Sequence, residues 1–330
     1  MTTFKQIRGN LIKSTSTDPA NPQEGQIWYN STSQVLKGEE ILGAWSSGGS
    51  LGTARNGLGT AGIQTAGLGF GGYNATPVQV TDTEEYNGSG WTTGGAMNTA
   101  RGQLTGFGTQ TSAVAAGGSL VAGSPSPAAS PVYTNIAEEY NGTSWTTIPS
   151  MTTGRFLLAS AGVQTAGMAV GGRVSDTTFT NATEEYNGAS WTAGGSMNTP
   201  APLSSAIGGC GTLTAGLKFG GPAPTTNTEE YNGTSWTEVN NLNTGRERIA
   251  GAGIQTAGLA IGGNPNIAST ESYDGTSWTA VADLGTGRND ISATGASNTS
   301  ALAFGGNLPP KTGATEEFSF APATRTFTTS

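Results

Sequence analysis

Eleven of the 22 acidic residues stand in one recurring place in this 330-residue chain. The pairs Glu84-Glu85, Glu138-Glu139, Glu184-Glu185, Glu229-Glu230 and Glu316-Glu317 open the same short phrase, and Glu271 opens a sixth beside Ser272. Paired carboxylates could ring a cation or divide acid and base roles between them. A reacting pair is needed once, however, and this one is written six times, which points to architecture. On a strand, the first Glu shares a face with the aromatic residue two positions on. There it can pair with an arginine of the same or a neighbouring copy. Arg55, Arg101, Arg155, Arg246 and Arg288 supply five such partners for six copies.

Other chemistry is scarce. The chain has no histidine, so the commonest general base and the commonest metal ligand are both missing. Cys210, the single cysteine, excludes an internal disulfide framework and a cysteine-rich metal cluster. Neither cofactor nor metal is expected, and the chain reads as non-enzymatic. A net charge of −8 without a basic run speaks against nucleic acid. No apolar run approaches the roughly 18 residues of a membrane span, so no membrane insertion is expected. The opening MTTFKQIRGNLIKSTST lacks the apolar stretch of a signal peptide, so general secretory export is not expected. Charged residues make up only 11 % and glycine 53 of 330, so solubility rests on small polar groups.

The full phrase reads TEEYNGSGW, AEEYNGTSW, TEEYNGASW, TEEYNGTSW, TESYDGTSW and, degraded, TEEFSFAPA. Upstream of each lies a short apolar run ending in Gly-Gly, at Gly71, Gly117, Gly171, Gly220, Gly262 and Gly305, with successive spacings of 46, 54, 49, 42 and 43 residues. Such periods belong to propeller blades. Each copy predicts four short strands: A, rich in Gly and Ala and lying innermost; B, ending at Gly-Gly; C, with Glu-Glu-Tyr; and D, with Trp, outermost. A tight Gln-Thr turn joins A to B. The Asn-Gly step predicts a type I′ hairpin between C and D, with both central residues at positive φ. The sequon-like Asn141 and Asn232 then read as turns. Aromatic rows of Tyr and Trp read as packing between blades.

This order of Gly-Gly, Tyr, Trp and then Arg after Met/Leu-x-Thr resembles the kelch repeat, over Leu51 to Ser330. The resemblance implies an all-β fold: a six-bladed kelch-like β-propeller with a small N-terminal attachment segment. Two copies depart from it. The fourth has Met197-Asn198-Thr199-Pro200-Ala201 in place of the Arg motif, and the sixth has Phe318 for Tyr and no Trp in sequence. The missing outer strand can come from the tail TRTFTTS or from GAWSS around Trp45. The copper oxidase built on this repeat needs histidine ligands, which are missing. SYDGTSW is close to the sialidase turn, but Asp274 and Gly275 adjoin where that turn separates them.

Residues 1–48 fall outside the period and are expected to form an attachment domain, with 49–330 the propeller. DPANPQEG reads as a turn-rich entry, and IWYN and VLKG around STSQ as a hairpin. The leader GQIWYN…LKG…GAW resembles the N-terminal segment of bacteriophage tail-fibre and related virion proteins. This implies a virion protein held to other virion proteins by residues 1–48, often as a homo-oligomer. The B–C loops vary from 7 to 19 residues while the turns opposite stay uniform, the pattern of a rigid scaffold presenting a binding surface. Tyr73, Tyr133, Arg173, Phe179 and Lys311 are the candidate ligand contacts, and the prolines Pro125, Pro127 and Pro131 stiffen the longest loop. The expected function is a tail fibre or receptor-binding protein that recognises a host surface component, a glycan or a protein, without cleaving it. A head-decorating fibre or cement protein and a cellular kelch interaction module are the alternatives.

Overall fold

A computed structural model describes residues 12–20, 26–120, 133–175, 177–198, 207–222 and 225–327. Among them there is no helix; the regular structure is all strand, in five four-stranded antiparallel sheets and one six-stranded sheet. The sheets are arranged like propeller blades. The chain divides into two compact units, Trp45–Ser319 and Met1–Ala44 with Phe320–Ser330. The division falls before Trp45, where the sequence placed it after residue 48, and it assigns the last eleven residues to the first unit.

In the larger unit each sheet follows the A-B-C-D order of its copy. The second, for example, runs Thr105–Thr109, Ser112–Ala116, Ala137–Tyr140 and Trp145–Ile148. A strands alternate buried and half-exposed residues, and they lie side by side from sheet to sheet. Their small residues are a packing requirement: a Cβ on Gly251 would sit 2.3 Å from the Gly209 carbonyl oxygen, and one on Gly106 2.8 Å from that of Thr60. B strands are buried over four consecutive residues, which is why they read as unbroken apolar runs. The first glycine of each Gly-Gly pair has positive φ, and a Cβ on Gly71 would meet the Arg101 carbonyl oxygen at 2.7 Å. Gly72 N–H donates to that carbonyl at 2.8 Å, and the same bond recurs from Gly306 to Arg55, joining the sixth sheet to the first.

The apolar core lies between sheets. Leu68 and Phe70 of the first pack with Tyr140 and Trp145 of the second, and Leu302 and Phe304 of the sixth with Tyr86 of the first. The Gln of the A–B turn spans the same seam, Gln110 Nε2 donating to Gly67 O at 3.0 Å and Tyr86 O at 2.6 Å.

The Asn-Gly step does make a hairpin, but not a two-residue type I′ turn. The loop is four residues, Asn87 to Gly90, and only Gly88 has positive φ. Asn87 Oδ1 accepts from the N–H groups of Ser89 and Gly90, both at 3.0 Å, an Asx turn that stands in for the second positive φ. Only an oxygen is used, so Asp274 serves equally in the fifth copy, accepting at 2.8 and 2.7 Å.

The outer strand of the last sheet is GAWSS. Val35–Gly48 lies beside Thr315–Phe327, and the Trp45 ring sits 5.1 Å from Phe318, as Trp91 does from Tyr86. Trp45 Nε1 donates to Thr270 Oγ1 at 3.2 Å, the bond that Trp278 makes to Thr228 one sheet earlier. The Trp absent from the sixth copy is thus supplied from the N-terminal side.

The smaller unit contains Lys13–Thr15, parallel to Ile27–Asn30, which forms a hairpin with Val35–Gly38 around the turn 31–34. Asp18 ties it together, accepting from Trp28, Asn30 and Lys37 at 3.0, 2.8 and 2.6 Å. These bonds, Lys37 foremost, hold its carboxyl down at about 2. Residues 21–25 of the DPANPQEG entry lie outside the described residues.

Candidate functional site

The repeated acids are consumed by the scaffold. In five of the six copies the first Glu is buried and takes the arginine of the connection entering its sheet: Arg55–Glu84 at 2.6 Å, Arg101–Glu138 at 3.0, Arg155–Glu184 at 2.9, Arg246–Glu271 at 2.9 and Arg288–Glu316 at 2.7. Each arginine also donates to two backbone carbonyls, Arg101 to Gly117 and Ile136. The partner is the neighbouring copy's arginine, counted from the preceding Trp.

The fourth copy, which lacks the arginine, has a buried lysine in its B strand. Lys218 Nζ lies 4.0 Å from Glu229 and donates to Asn227 at 2.8 Å. Burial pulls its pKa down to about 8. No sequence reading of the arginine row pointed to Lys218, although it is the one charge in any of the six B strands.

The second Glu accepts the tyrosine hydroxyl of the next sheet: Tyr140 to Glu85 at 2.6 Å, Tyr186 to Glu139 at 2.8, Tyr231 to Glu185 at 2.5, Tyr273 to Glu230 at 2.9, and Tyr86 to Glu317. Outer-strand Trp indoles other than that of Trp191 reach back to the Thr that opens the preceding C strand, as Trp145 does to Thr83 at 2.9 Å. No cluster of three acidic or cysteine ligands occurs among the described residues.

What does not repeat lies at the B–C loop end. There the structure brings three of the five candidates together. Tyr133 stacks on Phe156 with centroids 4.7 Å apart and planes 8° from parallel. The Arg173 guanidinium lies 5.7 Å from the Phe156 centroid and 5.6 Å from that of Phe179. Arg173 Nε donates to the Ser175 carbonyl at 3.0 Å, which fixes the guanidinium over the rings. This gives a continuous Tyr-Phe-Arg-Phe stack, half-buried at its Tyr133, Arg173 and Phe179 members. Phe156 is the member that the sequence reading passed over. Its signal was available: it follows the motif arginine directly, where the other four arginine motifs are followed by Asn56, Gly102, Glu247 and Asn289.

The other two candidates form a second pair. Lys311 Nζ sits 5.5 Å from the Tyr73 centroid and donates to the Asn74 carbonyl at 2.6 Å. Tyr73 itself is buried, its ring covering Gly102, and burial raises its phenol pKa. Burial lowers the Lys311 ammonium pKa, opposed by Asp290. The stiffening prolines Pro125, Pro127 and Pro131 lie outside the described residues, as do Thr199 to Ala201 of the arginine-less motif.

The chain matches no family model, and it matches no curated protein.

Proposed function

We propose that this chain is a bacteriophage virion protein, a tail fibre or receptor-binding protein, whose six-bladed kelch-like propeller recognises a host surface glycan without cleaving it. The observation that carries the reading is the contrast between the two classes of side chain. Among the described residues the repeated Glu carboxylates take their cations and tyrosine hydroxyls within the scaffold, whereas the aromatic-cation stack of Tyr133, Phe156, Arg173 and Phe179 is found once and sits at the loop end. Flat aromatic faces edged by a guanidinium suit the apolar face and hydroxyls of a sugar.

Support for six blades comes from the bond of Gly306 to Arg55 and from the A strand of the sixth sheet lying against that of the first. Support for outward display comes from the chain path. It enters the propeller unit at Trp45 and leaves at Ser319, both at the C–D turn end, opposite the B–C loops. In this reading the propeller binds its glycan and does not turn it over.

The test is a glycan array probed with the full chain and with Arg173→Ala and Tyr133→Ala. Binding that both substitutions weaken tenfold or more supports the reading. Binding unaffected by either, or no glycan bound at all, sinks it.

A further inference from the structure

One ring of positions in the propeller unit disagrees from sheet to sheet. The residue two after each motif arginine is Gly57, Gln103, Leu157, Arg248 or Asp290, and all five have positive φ, from 47° to 61°. Their backbones are linked in series: Leu157 N–H donates to Gln103 O at 3.0 Å, Gln103 to Gly57 at 2.8 Å, and Gly57 to Asp290 at 3.2 Å. All five line the channel enclosed by the A strands, at its B–C loop end. Glycine would be the least strained residue at each, yet four sheets keep a larger one there at a cost of about 1 kcal/mol apiece. Retained strain at a non-repeating position is a mark of function.

The side chains form a small, two-sided site. Arg248 donates to the buried carboxylate of Asp290 at 2.7 Å. Around the ring from this pair, Gln103 presents an Oε1 that is buried and without a hydrogen-bond partner, and Leu157 adds an apolar surface. An unmet acceptor on the same ring as a carboxylate calls for a ligand with hydroxyl donors. The channel measures about 200 Å³, below the ~300 Å³ at which sites for drug-sized molecules begin, so the guest is small.

We infer that the loop-end mouth of the channel, formed by Gln103, Leu157, Arg248 and Asp290, is a subsite for a single sugar residue. Asp290 accepts from adjacent hydroxyls, Arg248 donates to ring or hydroxyl oxygens, and Leu157 meets the carbon face. This deepens the glycan-binding reading and rests on it: the chain end of the glycan enters the mouth while the outer stack holds the units behind.

The test is saturation-transfer NMR on the full chain with the methyl glycosides of glucose, galactose, mannose and N-acetylglucosamine. Two variants probe the mouth. Gly57→Leu plugs it with the side chain already carried at Leu157, and Gln103→Gly removes an acceptor with the residue already present at Gly57. Ile63→Thr, at the opposite end of the channel and matching Thr109 of the next sheet, is the control. At least one glycoside is expected to give transfer that falls tenfold in Gly57→Leu and at least threefold in Gln103→Gly and persists in Ile63→Thr. If no glycoside binds, or both mouth variants keep the signal, the subsite is overturned. Should the glycan array still bind through the Tyr133–Arg173 stack in that case, the wider reading stands without it; an empty array removes both.

Discussion

The hydroxyl of Tyr140 donates to Glu85 Oε1 at 2.6 Å, from the second sheet to the first. The same bond crosses five of the six seams, and the exception is informative. At the seam between the fifth and sixth sheets the second Glu is replaced by Ser272 and the Tyr by Phe318. Two departures that look like independent decay in the sequence therefore remove a donor and its acceptor together. Losing only one would bury an unmet carboxylate or hydroxyl. Ser272→Glu alone is expected to destabilise by about 1–3 kcal/mol. Adding Phe318→Tyr should recover most of that, with a coupling of at least ~1 kcal/mol in a urea-melt double-mutant cycle. Additive effects would show that the two sites do not meet.

Trp191 offers a gain. Its indole Nε1 is buried without a partner, because the C strand before it opens with Ala137 where its counterparts open with Thr. Ala137→Thr is expected to supply the missing oxygen and stabilise by about 1 kcal/mol. A lower midpoint in denaturant would mean that the site cannot take the added atoms.

Trp45 decides how the unit ends. It fills the Trp place of the sixth sheet, bonded to Thr270 and to the Ala282 carbonyl at 3.0 Å. Trp45→Ala is expected to cost about 3–5 kcal/mol, and removal of residues 1–48 should abolish the cooperative unfolding transition. A truncated chain that melts like the native one would show that the sixth sheet does not need this strand.

Alkaline pH should act with two opposite signs. Burial depresses Lys218 to about 8 against the ordinary 10.5, so between those values the unfolded chain holds a proton that the folded chain lacks, and stability rises with pH. Burial, followed by the hydrogen bond to a carboxylate, pushes Tyr86 and Tyr140 up to about 12 from 10.0. Their contribution is present below pH 10 and is lost as the pH climbs through 10 to 12. Melting temperature should climb from pH 8 to near 10 and then fall. Lys218→Arg should flatten the climb and leave the fall. A native profile that is level from pH 8 to 10 would argue against a depressed lysine.

Arg173→Ala should separate binding from stability. The side chain is half-buried, so its loss is expected to cost less than about 1 kcal/mol of stability while glycan binding falls at least tenfold. Equal losses in both would make the stack a structural brace.

Much of the scaffold could be read from the chain because each rule was stated six times. Gly-Gly, the Gln-Thr turn and the Glu-Glu-Tyr strand all sit where their periodicity placed them. What differs from the sequence reading concerns local hydrogen bonds and side-chain convergence, which period alone does not carry. Asn-Gly reads as type I′ because an Asx bond to the backbone leaves no mark beyond the Asn itself. Lys218 went unnoticed as a stand-in for arginine because it approaches Glu229 from a different strand. At the loop end, Tyr133, Arg173 and Phe179 stood out as exposed types, but their convergence on Phe156 depends on two sheets meeting.

The virion assignment bears most of the functional weight, and immunogold labelling of intact phage particles with an antibody against the propeller tests it most directly. Gold is expected at the tail, on fibres or tip, with the epitope accessible without disruption. Gold on the head would reassign the chain to decoration, and particles free of gold would remove the virion reading altogether.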